Sequence, residues 1–452
     1  MRGSEGMAVA PDIARLVAAP ARDESPRRAP TPLTVAANLD LDERINALLA
    51  AGEPLLHLGF GESRLPLLPE LAERLTAAAA LTEYGPVAGR PGPREAVAGY
   101  FARRRLPTGA DDVVLAPGSK PLLLALLAAI GGDVVLARPA WVSYAPQARL
   151  LGRRVISVPI PAAVGGVPDP DLLPVALAQA RAGGADPRIL VLTAPDNPTG
   201  TTADPALIRR LCLAAEREDL TVISDEIYRD VLFDPRAPYL SPAEVLPSRV
   251  VVVTGLSKSL SLGGWRIGAA RFPGGPAGRS LRQRALGVAS QIWSNAPGPM
   301  QAVAEYAFGE PAELVAHRQA ATRLHARVAE AVHRALVGSG AAARPPSGGF
   351  YVYPDLGGVA EDLRRLGVRG SGDLEAFLLD AFGIAVLGGH HGGDDPQALR
   401  FRVATSLLYG SDDEQRWSAL LSADPVSLPW IAESIARIGE IIPGIRALAD
   451  RS

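Results

Sequence analysis

Short runs rich in β-branched residues alternate with helical stretches between residues 111 and 255, and this alternation constrains the fold more than any other feature. The runs read DDVVLA, GDVVLA, RRVISV, RILVLTA, LTVISDE and SRVVVVTG. Stretches with a helical spacing of apolar residues, such as SKPLLLALLAAI and DPALIRRLCLAAERED, lie between runs. Such alternation is typical of βαβ units, in which helices cover both faces of a mostly parallel sheet. We therefore expect an α/β fold.

The pattern changes after about residue 300, where long helical stretches such as LHARVAEAVHRALV begin. Short β stretches follow, GGFYVYPDL, GIAVLG and ALRFRVATS, before a helical C-terminus. This change indicates a second, smaller α+β domain. The predicted organisation is a flexible leader over 1–36, an N-terminal segment of the small domain over 37–66, a large domain over 67–300, and the rest of the small domain over 301–452.

Composition argues against several classes of function. The chain has 46 Lys and Arg against 48 Asp and Glu, so we expect neither nucleic acid nor a membrane surface as a partner. We expect a cytoplasmic protein, because the N-terminus has no signal-peptide pattern and no segment has the ~20 apolar residues of a spanning helix. The single cysteine, Cys212, lies in a helical stretch and is expected to be a buried apolar residue.

One lysine stands out at the end of a predicted strand. Lys258 lies in TGLSKSLSLGGWRIG, directly after the run SRVVVVTG. Ligands of open α/β sheets bind at the carboxyl ends of the strands. A lysine becomes a nucleophile when burial or a neighbouring cation lowers its pKa, and small residues with Arg266 nearby could do both. Taken alone, Lys258 could equally be a solvated lysine in a Gly/Ser loop.

Two further strand ends carry polar residues of complementary types. RILVLTAPDNPTG places Asn197 in a turn, and LTVISDEIY places Asp225 at a strand end with Tyr228 three residues later. Individually these are common as a turn residue, a helix N-cap and a core tyrosine. Together with Lys258 they would gather an amide, a carboxylate, a phenol and an amine at one edge of the sheet.

Seven stretches resemble, in order, the motifs of the class I/II aminotransferases, and the resemblance covers about residues 38–420. They read YGPVAGRPGPREAV, APGSKPLLLAL, RPAWVSY, DNPTG, SDEIY, LSKSLSLGGWRIG and LRFRVATS. The family comprises fold type I pyridoxal phosphate (PLP) enzymes of the aspartate aminotransferase superfamily. The resemblance implies that the predicted large domain binds PLP and that the parallel sheet is the fold type I sheet.

The resemblance also implies roles for the residues at the sheet edge. Lys258 would form a Schiff base with PLP and move a proton between the substrate and the cofactor. Asp225 would pair with the pyridinium nitrogen so that the ring acts as an electron sink. Asn197 and Tyr228 would hydrogen-bond the 3′-oxygen of the ring, and Trp141 would stack on its face.

The phosphate of the cofactor would bind at a helix N-terminus. Gly118, Ser119 and Lys120 open the helical stretch that follows the first run. Unpaired backbone N–H groups and the helix dipole favour an anion there. By the same resemblance, Ser257 and Arg266 would complete the phosphate site.

Three further matches concern the substrate and the partner subunit. Tyr84 matches a tyrosine that reaches the phosphate from the partner subunit, which implies a homodimer. Gly61 matches a glycine next to the substrate. Arg400 matches the arginine that binds the α-carboxylate of the substrate, where a planar fork suits a carboxylate. Arg402, two residues on, lies on the same strand face and is a competitor for that role or a second anion contact.

The chain departs from the family motifs mainly on the substrate side. Gly-Glu-Pro becomes Gly-Glu-Ser at Ser63, Pro93 replaces a common leucine, and the stretch before Arg400 reads GGHHGG. His390 and His391 in that stretch could contact a substrate, but we expect no metal site because no carboxylate or cysteine lies beside them at ligand spacing. The sequence shows no second arginine positioned to bind a side-chain carboxylate of the substrate. It therefore does not identify the amino donor or the amino acceptor.

The reaction expected first is transamination between an amino acid and a 2-oxo acid. The stretch around Lys258 also resembles 1-aminocyclopropane-1-carboxylate synthases, so elimination or cyclisation on S-adenosylmethionine, or amino acid oxidation, is the alternative. One PLP scaffold supports all of these reactions. A regulator with a degenerate site is disfavoured, because Lys258, Asp225 and Arg400 are all present and no DNA-binding segment precedes them.

Overall fold

A seven-stranded sheet forms the centre of the computed structural model, which describes residues 34–451. Most of the predicted leader, residues 1–33, lies outside the described residues, as does residue 452. The sheet order is β2-β8-β7-β6-β5-β3-β4. The strands of the described chain are β1 Leu56–His57, β2 Val113–Ala116, β3 Asp133–Arg138, β4 Val155–Pro159, β5 Pro187–Thr193, β6 Thr221–Asp225, β7 Val250–Gly255, β8 Gly268–Arg271, β9 Tyr351–Val352, β10 Ile384–Ala385, β11 Leu387–Gly388 and β12 Phe401–Ala404.

Helices cover the sheet and make up most of the C-terminal part. Their bounds are α1 Ala37–Ala50, α2 Pro69–Ala77, α3 Pro91–Arg103, α4 Ser119–Ile130, α5 Tyr144–Leu150, α6 Leu173–Ala182, α7 Pro205–Arg217, α8 Pro242–Val245, α9 Leu256–Ser259, α10 Gly275–Ile292, α11 Gly298–Gly309, α12 Ala312–Ser339, α13 Ala360–Arg365, α14 Ser371–Phe382, α15 Asp413–Leu421, α16 Pro429–Gly439 and α17 Ile441–Ala449. Within residues 34–451, no helix has the length and apolar character needed to cross a membrane.

Strand β7 carries four consecutive valines because both of its faces are covered. In β7, Val250 and Val252 pack into one hydrophobic cluster, while Val251 and Val253 pack into another on the opposite face. All four valines are fully buried. Side chains alternate between faces with a period of two, so a strand covered on both sides needs apolar residues at every position. The mostly parallel α/β sheet is therefore as predicted.

Strand β8 was not among the predicted strands. It pairs antiparallel with both β2 and β7, whereas the other neighbours in the sheet are parallel. Its sequence, GAAR, has no β-branched residue and is too short to show a periodic pattern. The six predicted runs all form strands, and Cys212 is buried in α7 as predicted.

A three-stranded sheet, β11-β12-β9, lies in the C-terminal part, where the three β stretches after residue 350 were predicted. The two-residue strand β1 pairs with β10 in parallel. Leu58 and Leu65 share a hydrophobic cluster with residues from the C-terminal helices, such as Leu324 and Ile442. The segment after α1 thus packs with C-terminal residues, while the division into domains stays a prediction.

Candidate active site

A cavity of about 430 Å³ opens at the carboxyl ends of strands β5, β6 and β7. This position is expected for a ligand site in an open α/β sheet. Most of the predicted site residues line the cavity: Gly61, Ser119, Lys120, Trp141, Asn197, Asp225, Tyr228, Ser257, Lys258 and Arg266. The sequence did not indicate several other lining residues, among them Asn38, Phe60, Glu62 and Tyr144.

Lys258 lies on the short helix α9, which begins directly after β7. Its ammonium donates a hydrogen bond to the backbone carbonyl of Gly61. Burial first, and next the positive charge of Arg402, lower the pKa of Lys258 to about 8, although the carboxylate of Glu62 opposes the change. A substantial fraction of this amine is therefore neutral near pH 8, as a nucleophile or a proton carrier requires.

Both lysines of the protein line this cavity. Lys120 and Lys258 are the only lysines in the 452-residue sequence, in which every other cationic side chain is arginine or histidine. The ammonium of Lys120 lies 5.3 Å from the ring centre of Trp141. Burial, and next the charge of Arg266, lower the pKa of Lys120.

Asp225 ends strand β6 and is almost fully buried. The hydroxyl of Tyr144 donates to its Oδ2 at 2.7 Å, and the backbone N–H of Ile227 donates to Oδ1 at 3.2 Å. Because a phenol has one hydrogen, Thr193 must be the donor in its 2.8 Å contact with the oxygen of Tyr144. Burial raises the pKa of Asp225 to about 6, and the bond from Tyr144 opposes the rise.

Asn197 and Tyr228 both contact the hydroxyl of Tyr351, which was not predicted from the sequence as a site residue. The hydroxyl of Tyr351 lies 2.6 Å from that of Tyr228 and 3.4 Å from Nδ2 of Asn197. Burial, and next the neighbouring Tyr351, raise the pKa of Tyr228 well above its usual value. Tyr228 therefore stays a neutral phenol that can donate one hydrogen bond.

A cluster of donors surrounds the N-terminus of helix α4. Gly118 precedes the helix with a φ of 92°, and a Cβ on this residue would collide with the guanidinium of Arg266. Arg266 has a left-handed backbone, with a φ of 54°, and donates to the carbonyl of Gly263 at 2.9 Å. Ser119 and Ser257 also face the cavity. This arrangement suits an anion.

The structure places Arg402, and not Arg400, in the cavity. Arg400 forms ion pairs with Asp355, at 2.7 Å, and with Asp394, at 3.3 Å, and lines a separate cavity. Arg402 is buried and donates to Oδ1 of Asn197 at 3.0 Å. Two residues of extended chain span about 6.6 Å, which is enough to carry the two guanidinium groups into different cavities.

Tyr84 and the two histidines lie away from the cavity. The side chain of Tyr84 is 89% exposed, so it contributes nothing to the site of its own chain. His390 and His391 lie in a short 3-10 helix, Gly389–Gly392, outside the cavity lining. The expectation that no carboxylate lies beside them is wrong, because Glu375 of α14 contacts His391 at 3.1 Å. The fold brings together residues that are 16 positions apart in sequence.

Residues 53–407 match the sequence model of the family described as aminotransferase class I and II. The chain is 30% identical over 345 residues to an aspartate/prephenate aminotransferase of Thermus thermophilus, a match that covers 75% of this chain and 82% of the relative. It is 29% identical to an aspartate aminotransferase of Geobacillus stearothermophilus over 392 residues, 83% of this chain and 93% of that one.

The fold agrees with these relatives. A solved structure of the Thermus thermophilus aspartate aminotransferase with maleate superposes with a TM-score of 0.74 at 26% identity and covers 90% of this chain and 97% of that one. The sheet and the lysine at its edge define a fold type I enzyme of the aminotransferase kind. The chain belongs to the class I and II aminotransferase family, whose enzymes depend on PLP, and it is an aminotransferase.

The lowered pKa of Lys258 leads to the first prediction. We expect the neutral fraction of Lys258 to rise as the pH increases through about 8 in the cofactor-free protein. Replacing Arg402 by Met should raise this pKa, because a neighbouring cation disfavours the charged form. Carbon-13 NMR of the reductively methylated protein measures the titration directly, because only two lysine signals occur and Lys120→Arg assigns them.

Arg400→Met is the matched control and should leave the titration of Lys258 unchanged, since Arg400 is already paired with two carboxylates. A Lys258 signal that titrates near the ordinary value of about 10.4 would contradict the burial of this amine. An equal shift in both arginine variants would contradict the placement of Arg402.

Proposed function

We propose that the protein binds PLP in the described cavity and transfers an amino group from an amino acid to a 2-oxo acid through Lys258. The observation that carries this proposal is the position of Lys258, whose amine lies in one cavity with the carboxylate of Asp225 and the guanidinium of Arg402. Lys258 would bind the cofactor covalently, Asp225 would pair with its ring nitrogen, and Arg402 would bind the carboxylate of the substrate.

The residues of the cavity fit PLP group by group. The phosphate suits the donors at the N-terminus of α4, where the missing Cβ of Gly118 leaves room for the guanidinium of Arg266. Asp225 suits a protonated pyridine nitrogen, since burial makes an unpaired carboxylate costly. Asn197 and Tyr228 can donate to the ring oxygen. Trp141 forms part of the cavity wall and could stack on the ring.

Bound PLP would supply the electron sink that allows the Cα–H bond of an amino acid to break. The residues of the chain would then hold the substrate and move its proton. The amine of Lys258 would take the proton from Cα and return it to the C4′ atom of the cofactor, a role that suits a pKa of about 8. Asp225 would hold its partner nitrogen protonated.

Arg402 is proposed to bind the α-carboxylate of the substrate in place of Arg400. Arg402 is 2% exposed and lines the cavity beside Lys258, and its Nε has no hydrogen-bond partner among the described residues. A guanidinium that is buried without a carboxylate partner favours binding an anion. Arg400 has its charge satisfied by Asp355 and Asp394.

We propose aspartate as the amino donor to test first. The relatives that carry the name aspartate or aspartate/prephenate aminotransferase support this choice. Lys120 supports it as well, because its ammonium lines the cavity and makes no ion pair within residues 34–451. The ammonium of Lys120 could therefore bind the side-chain carboxylate of the substrate, so that no second arginine is needed.

Mixing the holoenzyme with single amino acids, without any 2-oxo acid, tests this function. We expect aspartate to yield oxaloacetate once per active site and the reaction then to stop, because the amino group stays with the cofactor. The Lys258→Ala variant should release no oxaloacetate. Continued release of ammonia, peroxide or a sulfur leaving group, with S-adenosylmethionine included among the substrates, would instead show oxidation, elimination or cyclisation.

The role of Arg402 predicts a contrast between two arginines. Replacing Arg402 by Met should lower kcat/KM for the amino donor roughly 10- to 150-fold, because a hydrogen-bonded charge contributes about 1.5–3 kcal/mol. Arg400→Met should change it far less. Steady-state kinetics with both variants measures the difference, and an equal or larger loss in the Arg400 variant would contradict the assignment.

Enzymes of this family are typically dimers, and we propose that Tyr84 enters the site of the partner subunit. Its exposed aromatic ring supports this role, since a side chain that is 89% exposed is free for contact. Lys258→Ala and Tyr84→Ala chains, unfolded and refolded together, should then regain activity that neither variant has alone. Hybrid dimers would pair an intact Lys258 with an intact Tyr84.

The control for this experiment refolds the Lys258→Ala chain with a chain that carries both substitutions, and this mixture should stay inactive. Activity of the first mixture that merely equals the sum of its components would contradict a shared site.

A further inference from the structure

Three metal-ligating side chains meet outside the active site. His390 and His391 follow strand β11 in the 3-10 helix Gly389–Gly392, and Glu375 faces them from helix α14. One ligand atom from each residue lies within 4.8 Å of the other two. We call these three residues the His–His–Glu cluster. The transfer reaction uses none of them.

The cluster is accessible to an ion from solvent. The side chain of His391 is 25% exposed and that of Glu375 is 23% exposed. Nε2 of His391 lies 3.1 Å from Oε2 of Glu375. Ligands of a tetrahedral zinc ion lie about 2.0–2.2 Å from the metal, so neighbouring ligand atoms lie about 3.3–3.6 Å apart. Small side-chain movements would bring the three atoms to that spacing.

Ser371 contacts one of the two ring nitrogens of His390. Its hydroxyl lies 2.9 Å from Nδ1 of His390, accepts from the backbone N–H of His390 at 3.2 Å, and can donate to the carbonyl of Pro396 at 3.5 Å. When Ser371 donates to that carbonyl, it accepts the Nδ1 hydrogen, which leaves a lone pair on Nε2. Metal-bound histidines are commonly held in this way by a partner of the other ring nitrogen.

A backbone hydrogen bond holds the carboxylate of Glu375 in place. The backbone N–H of Gly388 donates to its Oε2 at 2.6 Å. A Cβ on Gly388 would lie within 3 Å of both His390 and Glu375, so a glycine at this position keeps the cluster open.

We propose that the His–His–Glu cluster binds one divalent transition-metal ion of the zinc class. Two imidazoles and one carboxylate suit Zn²⁺, Co²⁺ or Ni²⁺, whereas Mg²⁺ and Ca²⁺ prefer oxygen ligands alone. The fourth position would be open to water. The competing explanation is that the hydrogen bond between His391 and Glu375 only holds the loop in place.

The cluster is connected to the active site on two sides. Gly388 of β11 pairs with Phe401 of β12, next to Arg402. The carbonyl of Gly392 accepts a hydrogen bond at 3.0 Å from the backbone N–H of Ala140, next to Trp141. A bound ion would therefore fix the loop that joins the carboxylate-binding strand to the aromatic wall of the cavity. Its first effect would be a rise in thermal stability.

Calorimetric titration of the untagged, EDTA-dialysed holoenzyme with ZnCl₂ tests the proposal, with MgCl₂ as the comparison ion. We expect one Zn²⁺ per chain, no binding of Mg²⁺, and an unfolding midpoint that rises with Zn²⁺. His391→Gln and Glu375→Gln should abolish the site. Ser371→Ala should weaken it roughly 10- to 100-fold, as is typical for the partner of a ligating histidine.

His333→Gln is the matched control, because His333 lies on α12 away from the cluster and glutamine can keep its hydrogen bond to the carbonyl of Ala343. Binding of Co²⁺ with the visible absorbance of a tetrahedral site, lost in His390→Gln, gives a second readout that does not depend on stability. Absence of Zn²⁺ binding to the wild type, or equal Zn²⁺ binding by wild type and His391→Gln, would overturn the proposal.

Discussion

The site depends on a lysine whose charged form is disfavoured by burial and by three neighbouring cations, against the opposing effect of Glu62. Lys258 lies at the end of a strand that is buried along its whole length, and burial, together with Arg402, Arg266 and Lys120, lowers its pKa. Only a rigid scaffold can hold four cationic groups around one cavity. The parallel sheet provides it, since the strands end at one edge and their apolar side chains pack into two buried clusters, one on each face.

The excess of positive charge in the cavity explains why the protein would bind anions. A phosphate at α4 and a carboxylate at Arg402 would each neutralise part of that charge, so cofactor and substrate stabilise the site that binds them. Asp225 supplies a carboxylate to the same cavity and would face the ring nitrogen of the cofactor. Tyr144 donates to Asp225 and favours its ionised form, while burial favours the neutral one. The position of Asp225 thus favours a protonated ring nitrogen as its partner.

Much of the site could be predicted from the sequence, because Asp225 and Lys258 directly follow apolar runs and parallel strands bring such ends together. Strand β8 could not be predicted from the sequence, because its four residues form a strand only by pairing with β2 and β7. The choice between Arg400 and Arg402 could not be made either. The period of two places both on one face, and the carboxylates of Asp355 and Asp394 that hold Arg400 come from distant positions. Contacts of this kind depend on tertiary structure and leave no local pattern.

The most direct measurement is to reduce the holoenzyme with sodium borohydride, which fixes the cofactor covalently to the amine that holds it, and to map the digested protein by mass spectrometry. The sequence makes the result unambiguous, since only Lys120 and Lys258 can carry the label on a side chain. A pyridoxyl group on the peptide that contains Lys258, and none on the peptide that contains Lys120, is the predicted result. Labelling of Lys120, or of neither lysine, would contradict the assignment of the active site.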